Sequence, residues 1–123
     1  MRRQEFTDSA WSVMEALWSG GPMELGQVVE ALKPARGWSR NTVHTYLTRL
    51  EKKGAVSIDR DDNPHRYQAA LPREECAASQ RRSLVERAYH GSAAALVSAF
   101  VKDGSLTAAE REELRRLLDE MEV

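Results

Sequence analysis

The sequence predicts a mainly α protein, and three observations carry that prediction. Apolar residues recur at helical spacing in three short segments before Gly54, each closed by Gly or Pro. The period then changes to two: Val56 and Ile58 alternate with Ser57 and Asp59, and Tyr67, Ala69 and Leu71 alternate with Arg66, Gln68 and Ala70. Between these runs lies Asp61-Asp62-Asn63-Pro64, a dense turn signal. Helical spacing returns after Pro72 and lasts to the end of the chain. Three helices followed directly by a β-hairpin make a winged helix-turn-helix, here expected over residues 1–71. Three further helices are expected over residues 72–123.

Each element has its local reason. Thr7 can cap a first helix, with Asp8 near its positive end, and Trp11, Met14 and Trp18 share a face with Ala10 and Leu17 beside them. Tryptophans at this spacing are read as core packing. Gly20-Gly21-Pro22 ends the helix. From Met23 to Lys33, Leu25, Val28, Val29 and Leu32 form a second stripe, opened by Glu24, a poor cap by its chemistry, and broken at Pro34.

Ser39 can cap the third helix, with Trp38 stapling onto Val43. Val43, Leu47 and Leu50 are its buried stripe, and Gly54 can take the left-handed stop. The hairpin has about five residues a side and must pack its Val56/Ile58/Tyr67 face on the helices, because a lone hairpin is marginal in water.

Pro72 suits the first turn of a fourth helix running to about Tyr89, with Leu84, Val85, Ala88 and Tyr89 as its clearest apolar positions. Ser92 can cap a fifth, with Leu96, Val97, Phe100 and Val101 inside. Thr107 and Glu110 form a capping box for a sixth, striped by Leu114, Leu117, Leu118 and Met121. These three helices carry much apolar surface for so small a unit. A second copy of the chain would cover it, so Leu84, Ala88, Leu96, Val97, Phe100, Leu114, Leu117, Leu118 and Met121 are the expected dimerisation residues.

The totals exclude more than they assign. Net charge is −1, so no global basic bias points to nucleic acid, but Lys33 to Lys53 holds six basic residues against Glu51 alone, a local +5. Cys76 is the one cysteine, which rules out an internal disulfide and a multi-cysteine metal site. No apolar run approaches a membrane span, and the two arginines at the start have no apolar run behind them, so the chain reads as intracellular. His44, His65, His90 and the carboxylates form no nucleophile–base or ligand-spaced set, so no enzyme, cofactor or metal is expected.

The outward face of the third helix carries Asn41, Thr45, Thr48 and Lys52, flanked by Arg40, His44 and Arg49. Short hydrogen-bonding side chains with cations at both ends suit a helix that reads DNA in the major groove; an ordinary solvated face is the plainer alternative. On the DNA reading, Arg40 can pair with guanine and Asn41 with adenine or a phosphate. Thr45 and Thr48 can meet thymine methyls or phosphates, and His44 a base or the backbone. Arg49, Lys52 and Lys53 suit phosphates, with Ser39 and Thr42 helping near the helix start. Tyr46 lies on the core side. Arg60, His65 and Arg66 stand near the hairpin tip within reach of phosphates, opposed by Asp59, Asp61 and Asp62.

These residues carry a resemblance. T-D-S-A-W-S-V-M-E-A-L-W (Thr7–Trp18), V-V-E-A-L (Val28–Leu32), G-W-S-R-N-T-V-H-T-Y-L-T-R-L-E-K-K-G (Gly37–Gly54) and S-A-A-A-L-V-S-A-F-V (Ser92–Val101) resemble, in order, segments of the BlaI/MecI/CopY repressors. The resemblance implies a cytoplasmic bacterial homodimer that binds a pseudo-palindromic operator and dimerises through its C-terminal helices. In the antibiotic-resistance members it further implies inactivation through a membrane sensor-protease pathway, by a cut that falls here at Ala99–Phe100. Those members have Asn before the Phe, where this chain has Ala99. Copper-responsive members carry a C-terminal cysteine cluster that this tail lacks, which argues against metal sensing of that kind. Two other readings stay open: a repressor released by a small ligand, and a winged helix used as a protein-interaction module.

Overall fold

The computed structural model describes residues 6–121. The chain divides into two units, one ending at Arg81 and the other beginning at Arg82. In chain order the elements are α1 (Asp8–Gly20), β1 (Met23–Glu24), α2 (Leu25–Leu32), α3 (Arg40–Lys52), β2 (Val56–Asp59), β3 (Arg66–Ala69), α4 (Arg73–Tyr89), α5 (Ala93–Lys102) and α6 (Ala108–Glu120).

Helix α1 starts where Thr7 Oγ1 accepts a hydrogen bond from the Ala10 amide at 3.1 Å. Its core stripe is Ala10, Val13, Met14 and Leu17, a correction to the expected Trp11/Met14/Trp18 face. The two tryptophans sit half-buried at the stripe's edge, rings 5.2 Å apart and edge-on. An indole N–H needs a partner. Trp18 finds one in the Leu71 carbonyl at 2.9 Å, whereas Val13 and Leu17 carry no such demand and take the centre.

Strand β1 was not legible in the sequence. Its two residues pair antiparallel with β3, Met23 opposite Tyr67 and Glu24 opposite Arg66. The sheet order is β1-β3-β2, and the hairpin register sets Ile58 opposite Tyr67. The pairing holds Met23 and Glu24 extended, so α2 begins at Leu25, where the apolar stripe begins, and not at the expected Met23. Gln27 Oε1 accepts from the Glu24 amide at 2.8 Å and completes the start. After α2, Gly37 takes φ 62° and its amide reaches the Lys33 carbonyl at 3.0 Å, which turns the chain toward α3.

The core of this unit gathers α1, α2, α3 and the sheet around Met14, Leu17, Val28, Val43, Leu47, Leu50, Val56 and Tyr67. Each large apolar side chain removed from water here contributes roughly 1.5–3 kcal/mol. The unit does not stop at Leu71 as expected. Cys76 and Ser79 on α4 are buried, Arg73 bonds Glu15 at 2.9 Å, and Gln80 Oε1 accepts from the Phe6 amide at 3.4 Å. The first half of α4 packs through small side chains, which an apolar-period reading passes over, so the division falls inside the helix.

The second unit holds the rest of α4 with α5 and α6. Ser92 Oγ caps α5 by accepting from Ala95 N at 3.1 Å. Thr107 and Glu110 cap α6 reciprocally, at 3.0 and 3.1 Å. The local signals therefore form as the sequence expects. The interior does not: no described residue of α5 or α6 is buried. Leu96 and Leu114 are half-buried and Ala88 is exposed. Leu84, Val97, Phe100, Val101, Leu117, Leu118 and Met121 stand 40% to 63% exposed. Val97, Phe100 and Val101, expected inside, are at the surface of the single chain.

Candidate nucleic-acid interface

The site is the outward face of α3 and the hairpin beside it. Ser39 opens the helix: its Oγ accepts from the Thr42 amide at 3.2 Å and donates to Thr42 Oγ1 at 3.1 Å. At the other end Gly54 takes φ 81°, and the Gly54 and Ala55 amides close on the Glu51 and Leu50 carbonyls, both at 2.9 Å. Buried Val43, Leu47 and Leu50 fix the helix on the core. Trp38 stacks on Tyr46 with ring centroids 4.8 Å apart, so Tyr46 is a packing residue.

That anchoring leaves Asn41, His44, Thr45, Arg49, Lys52 and Lys53 exposed, with Thr48 half-buried among them. The two threonines are already committed as donors, Thr45 to the Asn41 carbonyl and Thr48 to the Thr45 carbonyl, each at 3.0 Å. Outward they present a methyl group and a free acceptor lone pair. That suits a base edge, with its thymine methyl or amino group, better than a phosphate, which only accepts. Ser39 is likewise spent on the cap, whereas Thr42 Oγ1 acts only as acceptor and keeps its proton to donate.

On the hairpin the expected cations are engaged within the chain. Arg60 grips Glu51 of α3 with two bonds, at 2.5 and 2.9 Å. The guanidinium holds the Glu51 carboxyl below the ordinary carboxylate range, chiefly through that hydrogen bond. Arg66 donates to the Pro22 carbonyl at 3.3 Å and lies 4.0 Å from Asp62. A phosphate contact by either arginine has to displace these partners.

Arg40 is placed differently from its neighbours on α3. Its Nη1 lies 3.6 Å from where a β-carbon on Gly26 would sit, so the guanidinium lies over the start of α2. With His44 it lines a cleft of about 430 Å³ whose other walls are Glu24, Leu25 and Gly26 and the hairpin residues Asn63, Pro64, His65 and Tyr67. The sequence marks Glu24 only as a helix start and Asn63 only as a turn residue, and does not single out Gly26; a glycine inside so short a helix as α2 is the one signal that marks the place.

The sequence profile of the penicillinase repressor family matches residues 6–120. The chain belongs to that family. It is a family of DNA-binding transcriptional repressors and not of enzymes. Among relatives, the methicillin resistance regulatory protein MecI of Mammaliicoccus sciuri is 28% identical over 115 residues, covering 94% of both chains. The penicillinase repressor of Bacillus licheniformis is 26% identical over 116 residues, covering 94% of this chain and 91% of that one. The solution structure of the DNA-binding domain of the repressor BlaI superimposes with a TM-score of 0.53 at 24% identity, over 60% of this chain and 90% of that one. That likeness supports the winged-helix fold. Among the described residues no helix is long and apolar enough to cross a membrane, and no group of three or more His, Cys, Asp or Glu could hold a metal ion.

Proposed function

We propose that this repressor works as a homodimer on a pseudo-palindromic operator, each copy laying α3 in the major groove of one half-site. The observation that carries the reading is the division of labour on α3. One face is wholly buried, and the other offers Asn41, Thr45 and Thr48 toward base edges with Arg49, Lys52 and Lys53 toward phosphates. The family membership supports the DNA partner. The exposed apolar side chains of α5 and α6 support the second copy, which would cover them and supply the interior that unit lacks.

Two rigidly joined readers gain the affinity of both half-sites, so whatever parts them derepresses. A cut of the Ala99–Phe100 bond, within α5, would sever Phe100, Val101 and all of α6 from the remainder and dissolve the pair. A membrane sensor-protease pathway is the proposed source of such a cut.

The test is a selection of duplexes from a random pool by the full chain. The expected product is an inverted repeat whose half-sites lie roughly one helical turn, about 10 base pairs, apart. Enrichment of a lone half-site would sink the dimeric reading, and no enrichment at all would sink the DNA reading.

A further inference from the structure

The cleft between α3 and the hairpin is the feature that the reading above leaves without a role. Its lining brings together Arg40 and His44 from α3 and His65 from the hairpin. None of these three side chains has a hydrogen bond or ion pair to another described residue. Three neighbouring arginines are committed, Arg36 to Ser12, Arg60 to Glu51, and Arg66 to Pro22 and Asp62; Arg49, further along α3, is exposed but is not part of the cleft's lining. Three unspent donors thus line one cavity, while the arginines of the hairpin beside it are satisfied. The floor is the start of α2, whose positive dipole end also favours an anion. Glu24 is the one acid of the lining and opposes this, against a permanent guanidinium and two imidazoles, each of which donates at least one N–H in either charge state.

We infer that this cleft seats a single phosphate of the DNA backbone, so that Arg40 grips the backbone and not a base edge. The inference rests on α3 lying in the major groove. A strand that borders the groove occupied by α3 has to pass between that helix and the hairpin, and the cleft is the gap between them. Its volume of about 430 Å³ is many times the roughly 30 Å³ share of one water, ample for a phosphodiester group. The Arg40 guanidinium lies across Gly26, its Nη1 at ordinary contact distance, 3.6 Å, from where a β-carbon would stand. Base reading is then left to Asn41, Thr45 and Thr48, the last two already presenting methyls and acceptors outward.

The experiment uses the full chain and the duplex it selects from a random pool, carrying an uncharged methylphosphonate at one backbone position at a time. Wild type should lose roughly tenfold in affinity or more at one position per half-site, the loss of a charge-assisted contact. Arg40→Ala should be insensitive at that position alone and should select the same bases as wild type. Arg40→Lys should regain the sensitivity, because an ammonium also serves a phosphate as a charge-assisted donor. An Arg40→Ala protein that keeps the wild-type methylphosphonate profile, or that selects a different base, overturns the inference. If wild type selects no duplex at all, the failure is that of the DNA reading and shows at the first step. Arg40 is exposed, and an unchanged thermal melt confirms that either variant folds.

Discussion

The unit that ends at Arg81 and the unit that begins at Arg82 are made of the same material, amphipathic helices with well-formed caps, and differ in what lies inside them. Every buried apolar side chain among the described residues belongs to the first. The second has its caps, its stripes and its turns, and its stripes face outward. Capping fixes where a helix starts and stops but contributes only about 1 kcal/mol. Stability comes from burial, and α5 and α6 have little of it in a single chain. The difference teaches where each half gets its shape: the reader from its own core and, on the proposed dimer, the tail from a second copy.

Four substitutions break or sharpen that contrast, in falling order of effect. Leu47→Ala should cost the first unit about 2–5 kcal/mol in a urea titration, the range for a fully buried leucine. A smaller cost would mean that the α3 anchor is looser than its burial implies. Leu117→Asp should leave that stability untouched. It should convert the protein to monomer in the ultracentrifuge and weaken binding to the full operator roughly hundredfold. A surviving dimer would place the interface elsewhere. Lys52→Ala should weaken all duplexes alike and lower the slope of log affinity against log salt by about 0.9, the share of one phosphate; an unchanged slope removes Lys52 from the backbone contacts.

Glu51→Gln is the smallest. Because Arg60 holds the Glu51 carboxyl below its ordinary value of 4.5, the link between α3 and the hairpin is intact above about pH 4.5 and is lost as pH falls through the lowered value. The variant should therefore lose less stability than wild type between about pH 5 and pH 3, and a parallel acid limb would show that the pair contributes nothing.

Much of this was legible beforehand, and the rest was hidden for physical reasons. The caps at Thr7, Ser39, Ser92 and Thr107 and the stop at Gly54 are local signals, set by residues within a turn of one another, and all appear where the sequence expects them. Strand β1 depends on a partner more than forty residues away, and two residues are too few to show a period. The boundary inside α4 rests on Cys76 and Ser79, small side chains that carry no apolar signal of their own. The state of Arg60, Arg66 and Arg40 could not be read, because a charge pattern does not say which cations a neighbour has already taken. The outward face of α3 was legible as a set. Which members keep a donor or an acceptor free is decided by the hydrogen bonds of Ser39, Thr45 and Thr48, and only the structure displays those.

The central claim is that the first unit holds itself together and the second depends on a second copy. Amide hydrogen exchange at two protein concentrations, above and well below the dimer's dissociation constant, tests it most directly. On dilution, protection in α5 and α6 should collapse while α1, α2 and α3 exchange as slowly as before. If α5 and α6 keep their protection in the diluted protein, the second unit is stable alone and the account is wrong.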